Sequence, residues 1–215
     1  MQDLVSDNFK DRLRKSISVA WALFIRKVAN GALPINKEAS MQLQYAYILQ
    51  QLLPLICFKD NEKAVIELET GVQINSSTKE IDLLLKGKDN NGEYKIAVEM
   101  KYYRTLASSG GKRGATDIFM KDVYIDLELL ENYISNHIVN EGVALVMTDN
   151  KNLVFPKNKD AKCWNYDISH NKTIRNGIHL TTPIGGKDVD LTLSKSYDFQ
   201  WEQHENFYFL ALEGH

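Results

Sequence analysis

The apolar residues of this chain change period twice, and that change constrains the fold more than any other feature. Over residues 7–30 they recur at Leu13, Ile17, Trp21, Phe24 and Val28. Spacings of three and four place them on one helix face, and Gly31 and Pro34 end the pattern. A second helix is expected from Asn36, a good N-cap, to about Leu53, before Pro54. Its wide apolar face holds Met41, Leu43, Tyr45, Ala46, Ile48, Leu49 and Leu52. From residue 63 the period becomes two. Segments 63–74, 79–87 and 94–103 alternate, with Ile81, Leu83 and Leu85 on one side of the second and Ile96, Val98 and Met100 on one side of the third. Asp89-Asn90-Asn91-Gly92 is a strong turn signal between the last two, so the three segments read as an antiparallel meander.

The helical period then returns. Residues 104–115 read as a loop around Ser108-Ser109-Gly110-Gly111-Lys112-Arg113-Gly114. A helix over about 117–139 follows, with Asp117 as N-cap and Ile118, Phe119, Val123, Leu127, Leu130 and Ile134 as its buried stripe. Gly142 is expected to end it. Residues 143–148 read as a fully buried strand, so strand, helix and strand suggest a crossover into a mixed sheet. Beyond residue 150, strands are expected at 177–182, 189–194 and 206–212, with a polar loop over 150–176.

A length of 215 residues suits one domain with a substantial core. The formal net charge of −2 excludes a surface that is basic all over, so any grip on nucleic acid must come from a local patch. Cys57 and Cys163 are far apart and form no CxxC or CxxH cluster, which argues against a zinc site of the usual spacing. Two lone thiols fit a reducing, cytoplasmic compartment. The apolar run Ile17 to Ile25 is too short to span a bilayer, and no membrane partner is expected.

The chemistry lies on the hairpin. If the turn at Asn90-Asn91 is symmetric, residue 88 pairs with 93 and Asp82 falls opposite Glu99. Their Cβ atoms would then be roughly 4.5–5.5 Å apart. Lys101 shares that face, and Glu80 would lie opposite it. Facing carboxylates repel unless a cation sits between them. Mg²⁺ suits carboxylate oxygens and retains waters. It can lower the pKa of a bound water and offset phosphate charge, while an adjacent ammonium stabilises developing negative charge.

Asp82, sixteen residues, then Glu99-Met100-Lys101 resembles the PD-(D/E)xK signature of restriction-endonuclease-like nucleases. The helix, three strands, helix, strand order over 36–148 is similar to that family's core. The resemblance implies an α/β (α+β) fold, a three-layer α/β/α core with a mixed sheet. It implies residues 1–35 as a helical extension, 36–148 as the nuclease-like core and 149–212 as a β-rich extension packed on the same domain. Glu213-Gly214-His215 read as the start of a tag. The resemblance also implies Asp82, Glu99 and the Met100 backbone carbonyl as ligands of Mg²⁺ or Mn²⁺, Lys101 as catalytic, and Glu38 in support. Ile81 stands where the family often has proline. Gln42, Lys112, Arg113 and Lys121 are expected nucleic-acid contacts, with DNA as substrate and a homodimer as the assembly suggested by analogy. The competing readings are a non-catalytic nucleic-acid-binding or protein-interaction module on the same fold, and a merely amphipathic hairpin carrying a solvated charge ladder.

Overall fold

The computed structural model describes residues 2–74, 76–106 and 110–215, so Ser108 and Ser109 of the expected basic loop lie outside the described residues. The chain forms α1 (Phe9–Ala29), α2 (Glu38–Ile56), β1 (Lys63–Ile74), β2 (Ser77–Asp89), β3 (Gly92–Tyr103), α3 (Thr116–Ser135) and β4 (Glu141–Thr148). The C-terminal part adds α4 (Lys151–Val154), β5 (Lys172–Ile174), β6 (Ile178–Leu180), β7 (Leu191–Leu193), β8 (Tyr197–Phe199), β9 (Glu202–His204) and β10 (Phe207–Leu212). One mixed six-stranded sheet runs in the order β1-β2-β3-β4-β10-β9. Strands β3 and β4 are parallel and joined through α3, and the other neighbours in this sheet are antiparallel.

Helices cover both faces of the sheet. Leu13, Ile17, Phe24, Tyr45 and Leu49 of α1 and α2 pack on Leu83, Leu85, Ile96, Val98 and Met100. Phe119, Val123, Leu127 and Leu130 of α3 pack on the opposite face with Leu84, Ala97, Ala144 and Val146. Such two-sided burial explains why β4 reads as a continuous apolar run. Among the described residues, no helix is long and apolar enough to cross a membrane.

Several boundaries differ from expectation. Asn36 is not the cap of α2: Lys37 holds that position, and Ser40 Oγ accepts the Asn36 and Lys37 amides at 3.0 and 3.1 Å. Helix α2 also runs through Pro54 to Ile56, so the expected stop at Pro54 does not occur, and the Pro54 nitrogen gives up its hydrogen bond within the last turn. Leu43, expected inside, is exposed, and so is Ile118 of α3. Ala115, in a left-handed conformation (φ 64°), precedes α3 in place of Asp117. Gly142 lies within β4 and does not stop α3; a Cβ there would stand 2.9 Å from Leu130 Cδ2, so its absence lets helix and strand approach closely. Short strands β5, β8 and β9 escaped the sequence reading, since three residues carry no readable period.

The C-terminal part is tied to α3 by Glu131, which accepts from the Ser194 amide (2.7 Å), the Lys195 amide (3.0 Å) and the Tyr197 hydroxyl (2.9 Å). The last residues pack back onto the domain: Glu213 pairs with Arg14, and His215 exchanges backbone hydrogen bonds with Ser196.

Arg12, fully buried on α1, ties the segment before α1 to the C-terminal end of α2 and the turn after it. It donates to Glu62 (2.5 Å), to the Ile56 carbonyl (2.8 Å) and to the Ser6 carbonyl (2.5 Å). Arg12→Ala leaves Glu62 buried without its counter-charge and should cost about 3–5 kcal/mol. Urea unfolding measures this as a lowered midpoint at unchanged slope; a loss below about 1 kcal/mol, the scale of an exposed pair, would contradict it.

Candidate functional site

The turn chemistry sets the register of the β2–β3 hairpin. Asp89 pairs with Gly92 around Asn90-Asn91, Lys88 pairs with Glu93, and the ladder continues to Leu83 and Val98. Gly92 holds φ 122°, a conformation that a side chain would strain.

There the ladder stops, one pair short of the expected Asp82–Glu99 pair. On the other side of β2, the β1 ladder also skips Asp82, passing from Leu68–Leu83 to Thr70–Ile81, and the bypassed Glu69 has φ 50°. Ile81 packs on the α3 side, whereas Leu83 and Leu85 pack on the α1 and α2 side. Strand β2 therefore turns over at Asp82. This corrects the expectation that Ile81, Leu83 and Leu85 share a face, and it removes the Glu80–Lys101 pairing.

The splay leaves an edge of β3 without a strand partner, and two carboxylates take its amides. Asp82 Oδ2 accepts the Met100 N–H at 2.7 Å, and Glu38 Oε2, at the start of α2, accepts the Tyr102 N–H at 3.2 Å. The N–H and C=O of one strand residue face the same neighbour, so the Met100 carbonyl also faces this gap. Gln42 Nε2 donates to the Asp82 carbonyl at 2.5 Å and anchors the turned-over segment to α2.

Glu99 and Lys101 alternate with Val98 and Met100 and point towards α3. They are covered there, which removes the solvated charge ladder. Lys101 Nζ lies 3.4 Å from Glu38 Oε1 and 3.3 Å from Asp126 Oδ2 of α3. Glu99 is 4% exposed, and its Oε1 has no hydrogen-bond partner. Tyr133, the nearby hydroxyl on α3, donates to the Glu80 carbonyl at 3.3 Å and also lies close enough to the Glu99 carboxyl to favour its charged form, while Oε1 keeps no donor.

Charge is concentrated here. Burial, then the charges of Asp126 and Asp82, push the Glu99 carboxyl well above the usual carboxylate range. Burial also raises Glu38. Asp126 is pushed up to about 8 by burial, against the pull of Lys101. Lys101 is raised despite its burial, because Asp126, Glu38 and Asp82 surround it. Lys101 thus stays an ammonium, held among carboxyl groups.

A cleft of about 180 Å³ reaches the Glu38 and Lys101 end of this cluster, lined also by Tyr103, Arg113 and Asp122 among others; Asp82, Glu99 and Asp126 do not line it. Arg113 belongs to its rim, with its guanidinium 5.9 Å from the Tyr103 ring. Lys112 is exposed but does not line the cleft. Lys121, expected to face outward, is mostly buried and pairs with Asp122 at 2.8 Å.

Hard oxygen donors with one orphaned, buried carboxylate oxygen suit Mg²⁺ or Mn²⁺. Among the described residues, no group of three acidic, His or Cys side chains already converges as a metal cluster. The Lys101 ammonium, in contact with both Glu38 and Asp126, balances charge in its place.

Sequence reasoning missed Asp126 and Tyr133. A signal existed: Asp126 lies three residues after Val123 and four before Leu130, so a charge falls on the buried stripe of an apolar helix. A buried charge is an informative exception.

Comparisons with protein-family models, with curated proteins and with solved structures found no match for the chain.

Proposed function

We propose that the chain is a Mg²⁺-dependent endonuclease of the restriction-endonuclease-like type, hydrolysing phosphodiester bonds of DNA. The observation that carries this reading is the orphaned, desolvated Glu99 oxygen, in a cluster with Asp82 at the vacated edge of β3. A buried carboxylate oxygen without a donor is costly, and a cation is the partner that removes the cost. The α2-β1-β2-β3-α3-β4 order supports the reading, since it matches the core order of that family.

Asp82, Glu99 and the Met100 carbonyl would hold the metal, with Glu38 in support. The ion would supply Lewis acidity towards a phosphate oxygen and a water of lowered pKa. Lys101, held as an ammonium, stabilises negative charge on the scissile phosphate. Arg113 on the cleft rim orients the incoming backbone through a phosphate. Gln42 keeps Asp82 in place. Lys112 is a peripheral phosphate contact.

The test is incubation of supercoiled plasmid and single-stranded DNA with Mg²⁺ or Mn²⁺, comparing the wild type with Asp82→Ala. Nicking or linearisation by the wild type, lost in the variant, is the expected outcome. Failure on both substrates with both ions would leave the non-catalytic binding module.

A homodimer is part of this proposal. Leu43, Tyr47 and Leu55 of α2 and Leu68 of the neighbouring edge strand β1 are exposed apolar residues on the same side of the sheet. A helix apolar on its outer side as well is one that another surface covers. Light scattering should return twice the mass of the chain, and Tyr47→Glu should return the single mass; a wild-type monomer would refute the dimer.

A further inference from the structure

We propose that Asp126 is a positioning residue for the same site, holding Lys101 at the mouth of the β2–β3 gap from the α3 side. This inference rests on the nuclease reading for its catalytic consequence, but its geometry stands apart from it.

Asp126 is 6% exposed, and Lys101 is its ion-pair partner, with Oδ2 3.3 Å from Nζ. No buried apolar packing requires a carboxylate at this place in the α3 stripe. The group has one evident use there. A lysine side chain has four rotatable bonds, and Glu38, on the opposite side, is much more exposed than Asp126. Glu38 alone would leave the ammonium free to swing into the cleft. The second contact, from a helix packed against the sheet, fixes Nζ from behind. Displacement of a reacting group by about 1 Å can cost roughly 100-fold in rate.

Asp126→Asn keeps the shape of the side chain and removes its charge. It should lower kcat on DNA by about 10- to 100-fold with KM little changed. Asp126→Glu should recover a large part of the loss. Asp126→Asn should have no further effect in a Lys101→Ala background, because it acts through that lysine. A purely structural role would lower activity in both backgrounds and would overturn the proposal. A second readout needs no activity: reductive methylation followed by peptide mass spectrometry. Lys101 should be labelled several-fold faster in Asp126→Asn than in the wild type, while exposed Lys112 is labelled equally in both. Equal Lys101 labelling in two folded proteins overturns the positioning role. A wild type that cuts no DNA overturns the nuclease reading and leaves the labelling comparison decisive for Asp126.

Discussion

Lys101→Ala is expected to reduce Mg²⁺-dependent DNA cleavage by roughly 100- to 1,000-fold, the scale for loss of one preorganised donor to a developing anion. The ammonium is already charged and already clamped between Glu38 and Asp126. It needs no reorganisation when charge develops on the phosphate. Its removal also strips the one counter-charge that the described residues place in contact with Glu38 and Asp126, so metal affinity should hold or rise while the rate falls. Plasmid nicking gives the rate, and calorimetric titration with Mn²⁺ gives the affinity. Retained cleavage in Lys101→Ala would mean that another group stabilises the transition state. Loss of metal binding together with activity would mean that the lysine organises the carboxylates and does not act on phosphate.

Glu99→Gln is expected to stabilise the metal-free protein, opposite to the usual effect of a core polar substitution. The wild-type carboxylate is buried, has an oxygen without a donor and faces the charges of Asp126 and Asp82. Gln keeps the shape and removes the charge, and lifting the desolvation penalty of a buried charge is worth about 1–3 kcal/mol. That corresponds to a melting temperature roughly 2–10 °C higher for a domain of this size. Mg²⁺ should raise the melting temperature of the wild type and leave that of Glu99→Gln nearly unchanged.

The pH dependence follows from the same groups. The carboxyls of Glu99 and Asp126 are raised above their unfolded values, so the native state binds more protons. Their stabilisation is fully present below the unfolded pKa and is lost as pH rises through the folded pKa. For Asp126 that window runs from 3.8 to about 8. The metal-free wild type should therefore melt higher at pH 5.5 than at pH 8, with a shallower slope in Glu99→Gln. Melting curves across this range decide it. A flat profile, or a less stable Glu99→Gln without metal, would show that the Glu99 charge carries no such strain.

The hairpin was legible because its causes are local. Asn90-Asn91 with Gly92 selects a two-residue turn, and the turn fixes the pairing from Lys88–Glu93 up to Leu83–Val98. Lys101 and Glu99 share a face through simple alternation. Glu38 lies at a helix start that the period change announced, although the cap proved to be organised by Ser40 and not Asn36.

The rest required distant parts of the chain. Alternation carries no sign of where a ladder will stop, and here it stops because Glu69 leaves the extended region and Gln42 holds the Asp82 carbonyl from α2. Asp82 consequently faces the Met100 amide, not Glu99. Asp126 meets Lys101 only because β3 and β4 are parallel and α3 must cross between them. Turn type, period and alternation, which are short-range, were determined by the sequence alone. The gap at β3 and the carboxylate behind its lysine were decided by packing between elements many residues apart, where backbone amides freed from one strand must find acceptors elsewhere.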